Sequence, residues 1–150
     1  MSAANFFSKQ QQEDIRLAII NAEMNTSGEI RVHIEKDCKT NPIERAIFVF
    51  NKLKMNKTAE RNGVLIYLAV NCRKFAIIGD KGINSVVPEN FWEDIKANMV
   101  VEFKKSNFVA GLTYAIEQAG IKLKDFFPRA KNDINELSDD ISFDIPEEKK

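Results

Sequence analysis

Arg61-Asn62-Gly63-Val64-Leu65-Ile66-Tyr67-Leu68-Ala69-Val70-Asn71-Cys72-Arg73-Lys74-Phe75-Ala76-Ile77-Ile78-Gly79-Asp80 is the stretch that decides the fold. Val64 to Val70 run apolar without a break, as in a strand covered on both faces. Asn71-Cys72-Arg73-Lys74 supplies a polar turn, and Phe75 to Ile78 a return strand. In such a fold-back the start of the first strand lies beside the end of the second. Glu60, Arg61 and Asn62 are therefore expected next to Gly79, Asp80 and Lys81.

Upstream, Glu29-Ile30-Arg31-Val32-His33-Ile34-Glu35 alternates strictly, so Ile30, Val32 and Ile34 face a core and Glu29, Arg31, His33 and Glu35 face the other way. Asn41-Pro42 opens a helix between the two strands, with Asn41 as cap and Ile43, Ala46, Ile47 and Phe50 as its expected buried stripe. Strand, helix, strand implies a crossover and parallel pairing. The first strand then starts at the same sheet edge as the second, and three segments converge there: Ser27 to Glu29, Glu60 to Asn62, and Gly79 to Lys81.

Three more helices complete the pattern. Ser8 and Gln11 form a capping box ahead of Ile15, Ala18, Ile19 and Ala22. A helix follows Pro88 with Trp92, Ile95, Met99 and Phe103 inward. Another runs from about Asn107, with Phe108, Leu112, Ala115 and Ile116 as its stripe, and is expected to stop at Gly120. The fold class is α/β: a three-layer α/β/α sandwich on a small mixed sheet, one βαβ crossover plus an antiparallel hairpin. Residues 1–128 form the domain, pinned at its end by Phe126-Phe127-Pro128. Residues 129–150 carry seven acids against four bases and read as an acidic, flexible tail with weakly docking apolar residues.

At 150 residues, with 44% apolar and 29% charged side chains, the chain suits one globular domain with a real core. Net charge is zero and no basic cluster interleaves with aromatics, which argues against nucleic acid. Cys38 and Cys72 are not a CxxC pair and read as reduced thiols. No apolar run approaches the ~20 residues of a membrane helix, and the N-terminus lacks the pattern of a signal peptide. The expectation is a cytoplasmic monomer.

Nucleotide loops, nucleophile elbows and HExxH are absent. His33, the only histidine, reads as a partly exposed structural residue. The acids at the converging edge are more suggestive. Glu29, Glu60 and Asp80 offer hard oxygen ligands of the kind Ca²⁺ or Mg²⁺ prefers. Arg31, Arg61 and Lys81 suit phosphate oxygens. The plainer alternative is that these are solvated strand-end charges pairing with one another. The carboxyl edge of the parallel strands, where open α/β sheets usually bind ligands, holds Asp37, Asn71 and Arg73, with Arg73 read as a turn residue.

Ser27-Gly28-Glu29-Ile30, Asn62-Gly63-Val64-Leu65, Arg73-Lys74, Gly79-Asp80-Lys81-Gly82-Ile83 and Pro88-Glu89-Asn90-Phe91-Trp92, in this order and spacing, resemble the TPM domain family over roughly residues 8 to 128. The resemblance implies an α/β/α sandwich. It also implies phosphatase or nucleotide phosphohydrolase activity in some members, Ca²⁺ or Mg²⁺ binding in some, and assembly or regulatory roles in others. Members often carry an acid just before the Asn-Gly of the second strand, where this chain has Arg61, with Glu60 one residue earlier. On this reading Glu29, Glu60 and Asp80 hold a cation, Asp80 and Arg61 are catalytic, and Arg31, Asn62, Gly63 and Lys81 contact a phosphorylated small molecule or nucleotide. The alternative is a non-catalytic module that binds Ca²⁺ or a protein partner through the same cleft.

Overall fold

The computed structural model describes residues 3–129 and 141–144. β1 (Glu29–Glu35) and β2 (Gly63–Ala69) pair in parallel, with Glu29 opposite Gly63 and Glu35 opposite Ala69. β3 (Lys74–Gly79) returns antiparallel along β2. The apolar run of β2 is buried at every position because helices cover both faces of the sheet.

On one face lie α1 (Lys9–Glu23), α4 (Glu93–Lys104) and α5 (Phe108–Lys124), packed over Ile30, Val32, Ile34, Val64, Ile66 and Leu68. On the other lies α2 (Pro42–Lys52), packed over Leu65, Tyr67 and Ala76. Each fully buried Ile or Leu contributes roughly 1.5–3 kcal/mol of transfer free energy, so these two clusters hold the layers together. The chain is thus an α/β/α sandwich with a mixed sheet. Among the described residues, no helix is long and apolar enough to cross a membrane.

Ser8 caps α1 as expected, accepting from the Gln11 amide while the Gln11 side chain accepts from the Ser8 amide. Asn41 caps α2 through its side-chain oxygen. The end of the fold is pinned through Phe127, whose carbonyl accepts from the Ser27 amide at 2.9 Å and from the Thr26 hydroxyl.

Several expectations are corrected. α2 buries Ala46, Val49 and Phe50, whereas Ile43 and Ile47 are exposed on its flank. α5 continues through Gly120 to Lys124, because Gly120 is where α5 meets α1. A Cβ there would lie 2.9 Å from the Cβ of Ala22. The loop after β3 contains a one-turn helix, α3 (Lys81–Asn84), with Asp80 as its N-cap. His33 is fully buried, not partly exposed: α2 packs on the face of the sheet that holds Tyr67, and a further strand flanks β1 at His33.

That further strand is β4 (Ser142–Phe143), parallel to β1 with His33 opposite Ser142. Strand order is therefore β3-β2-β1-β4. Ile141 and Phe143 pack against the core, and the Asp144 carboxylate accepts from the Ala3 amide at 2.8 Å. The remainder of the 129–150 tail, apart from Arg129, lies outside the described residues.

Candidate functional site

Parallel pairing of β1 and β2 brings their starts together, and the hairpin adds the end of β3. The Glu29 amide donates to the Asn62 carbonyl at 3.2 Å, and the Asp80 amide to the Gly63 carbonyl at 2.9 Å. Ser27 Oγ donates to Glu60 Oε2 at 3.3 Å, and Asn62 Nδ2 to the Ser27 carbonyl at 3.2 Å. The three segments converge as the hairpin geometry requires.

Arg61 sets the chemistry of this edge. Its φ of 52° is left-handed, a conformation a non-glycine residue holds only at a cost of ~1 kcal/mol or more. From there its guanidinium reaches Asp80 through two parallel bonds, Nε to Oδ2 at 2.7 Å and Nη2 to Oδ1 at 2.9 Å. Asp80 is buried and also accepts from the Lys81 amide at 2.8 Å. The hydrogen bond to Asp80 raises the Arg61 pKa further above its ordinary value.

At Asp80 and Glu60, carboxylate oxygens expected to hold a cation already accept hydrogen bonds. Both oxygens of Asp80 are engaged by Arg61, and Glu60 Oε2 accepts from Ser27 and Asn62. Among the described residues, no group of three or more His, Cys, Asp or Glu is placed to hold a metal ion. Asn62 and Gly63 are buried and their carbonyls hold neighbouring strands, while Lys81 is exposed. Arg31 stands farther along β1, half-buried.

Beside the Arg61–Asp80 pair a cleft of about 360 Å³ opens at the end of β3, against Ile77, Ile78 and Gly79. Ile47 and Phe50 of α2 wall one side, Trp92 the other, and Ile78 and Gly79 lie along the strand. Asn51, Asn56 and Asn84 also line it. The exposure of Ile47 thus has a structural setting, at the lip of this cleft. Asn84 Nδ2 donates to the Gly79 carbonyl at 2.9 Å. The asparagines were missed by sequence reading. Their one common signal is polar carboxamides among apolar residues at a helix end and two turns.

A second polar cluster, also missed, lies inside the α2 layer. Glu35 accepts from Arg45 Nε at 2.8 Å and Tyr67 Oη at 2.7 Å through Oε1, and from Arg45 Nη2 at 2.5 Å through Oε2. His33 Nε2 lies 3.1 Å from Oε2, and its Nδ1 lies 2.9 Å from Ser142 Oγ. Burial alone would raise the Glu35 pKa, but bonds to Arg45, His33 and Tyr67 outweigh it and hold the carboxyl at about 2. Burial and the bond to Glu35 push the Tyr67 phenol well above its ordinary range. The alternation of β1 was the available signal: it puts His33 and Glu35 on the face that Tyr67 shares across the strand pair.

The fold, the Ser27-Gly28-Glu29 and Asn62-Gly63 strand starts and the Asp80 turn together define the class. This chain belongs to the TPM domain family, whose model matches residues 1–121. The BA42 protein of the psychrophilic bacterium Bizionia argentinensis has a similar solution structure, with 47% identity and a TM-score of 0.86. That match covers 91% of this chain and 94% of the other.

Two more distant solution structures share the fold alone. They are the N-terminal domain of cg2496 from Corynebacterium glutamicum (13% identity, TM-score 0.62, covering 77% of this chain and 72% of that one) and an N-terminal domain from P. gingivalis (16%, 0.66, 81% and 78%). No curated protein sequence matched.

Proposed function

We propose that this TPM domain is a non-catalytic binding module that holds an extended peptide segment of a protein partner in the cleft at the end of β3. The observation that carries the reading is the position of the cleft. Among the described residues β3 has a strand partner on one side only, β2, and the cleft lies against Ile77, Ile78 and Gly79 at the end of this edge strand. An extended peptide adds to such an edge through main-chain bonds, and flanking pockets select its side chains. Three carboxamides can donate to and accept from a peptide backbone, while Ile47, Phe50 and Trp92 cover its apolar groups.

The Arg61–Asp80 pair favours this reading over metal-assisted hydrolysis of phosphate esters or nucleotides. A carboxylate held by a bidentate guanidinium and a backbone amide has little left to offer a cation or a water. Arg61 acts here as a clasp joining the two turns.

Peptides selected by phage display on the purified domain test the proposal, with their binding mapped on amide resonances. The expected result is saturable shifts along Phe75 to Gly79 and at Asn51 and Asn84. Phosphate release from nucleotides or aryl phosphates that needs added metal and vanishes in Asp80→Asn would overturn it. Selected peptides that map away from β3 would overturn it equally.

A further inference from the structure

A larger cleft of about 580 Å³ lies at the opposite end of the sheet, beyond the carboxyl ends of the parallel strands. Three connections meet there: the turn into α1, the β2–β3 turn and the α4–α5 turn. Its walls are apolar, with Phe6, Val70, Phe108 and Val109, and its rim is polar, with Gln11, Asn71, Arg73 and Ser106. Open α/β sheets place their ligands at this end of the strands.

Arg73 is the cation that lines it. It is a turn residue, as its sequence position indicates, with φ at 54°, and Ser106 across the cleft is also left-handed at 62°. Arg73 Nη2 donates to Ser106 Oγ at 2.9 Å, which sets the guanidinium between the two turns and leaves its other donors in use by no other described side chain in this rim. Two acids stand near this edge: Glu102, near the end of α4, accepts from Asn107 Nδ2 at 3.2 Å, and Asp37 follows Lys36, whose carbonyl accepts from the Asn71 amide at 2.9 Å. The first turn of α5 lines the same cleft, and the macrodipole of that 17-residue helix adds partial positive charge there.

We propose that this cleft binds a small amphipathic oxyanion, an aryl or alkyl body bearing a carboxylate or a phosphate monoester. The apolar body would lie against Phe6 and Phe108, and the oxyanion would take bonds from Arg73 and Ser106. The volume suits such a ligand, since small-molecule pockets start at roughly 300 Å³. The site is separate from the β3 cleft and goes beyond the peptide-binding reading.

Amide-resolved titration of the full chain tests it with four probes: 4-phenylbutyrate, phenyl phosphate, the neutral isostere 4-phenyl-1-butanol, and inorganic phosphate as a bare head group. The expected result is saturable shifts at Asn71, Arg73 and Ser106 to Val109 with an amphipathic anion, at least fivefold tighter than with the alcohol or bare phosphate. Comparison of the first two probes tells carboxylate from phosphate.

Arg73→Asn keeps a residue that tolerates left-handed φ and removes the charge. It should weaken anion binding at least fivefold and leave alcohol binding unchanged, while Arg73→Lys retains most of the preference. A melting curve and an amide spectrum confirm that each variant is folded. Equal affinity for anion and alcohol, shifts located elsewhere, or undiminished anion binding in a folded Arg73→Asn would each overturn the proposal.

Discussion

Gly82 is packed directly beneath the backbone of Arg61: a Cβ on Gly82 would stand 2.6 Å from the Arg61 carbonyl oxygen and 2.2 Å from that of Glu60. The Gly82 amide donates to the same Arg61 carbonyl at 2.9 Å. The left-handed Arg61, its ion pair with Asp80 and the one-turn α3 thus form one interlocked unit. Gly82→Ala must push two backbones apart, so it should cost about 2 kcal/mol or more. Denaturant unfolding measures the loss, and an unchanged midpoint would show that the two turns are not locked.

The ion pair itself is best weighed with Arg61→Gly, because glycine adopts φ near 52° without strain. Arg61 keeps 34% of its side-chain surface in solvent, so solvent screening should keep the loss small, with relief of backbone strain offsetting part of it. A loss as large as that of Gly82→Ala would indicate that the pair behaves as a fully buried one.

Calcium titration addresses the expected ligand set. With Asp80 already engaged, the amides of Glu29, Asn62 and Asp80 should not shift together in the full chain. A saturable, shared shift at these three positions would restore Glu29, Glu60 and Asp80 as a cation site.

Glu35 predicts the acid limit of the fold. Its folded pKa, about 2, lies below the ordinary 4.5, so the unfolded chain binds the proton more readily. Its stabilisation is therefore complete above about pH 5 and is lost as pH falls from 4.5 toward 2. The effect is on the order of 3 kcal/mol. Glu35→Gln should flatten that part of the pH–stability profile and lower stability at neutral pH, since the charged pair with Arg45 is lost. Parallel profiles for the two proteins would remove Glu35 from the account.

Ending the chain at residue 140 removes β4, the Ser142 contact to His33 and the Asp144 bond to Ala3. The fully buried His33 would then meet water on one side. A loss of about 2 kcal/mol, or roughly 5–10 °C in Tm, is expected. An unaltered Tm would show that β4 adds nothing to the domain.

The layered architecture was legible because the uninterrupted run of β2 demands cover on both faces, and the convergence at the strand starts follows from parallel pairing. What the residue string concealed was direction. Glu60, Arg61 and Asp80 look alike as strand-end charges until the left-handed turn at Arg61 sends its guanidinium onto Asp80. Gly120 reads as a helix stop by propensity, but packing against Ala22 decides its role. β4 has two residues and owes its existence to partners far away in the chain, so no local pattern marks it. The carboxyl-edge cleft is built from three turns distant in sequence, of which only Arg73 and Asn71 had been noticed.

The bond between Ala3 and Asp144 joins residues 141 positions apart. During synthesis the outer rim of β1 stays open until Ser142 and Phe143 have been made, long after β1, β2 and β3 can pair. A growing chain therefore carries a bare strand margin, able to template intermolecular pairing, until residues 142 and 143 follow. Pairing with β4 covers the margin of β1 only once residues 142 and 143 have been made, so the order of synthesis leaves this edge of the sheet to be closed late.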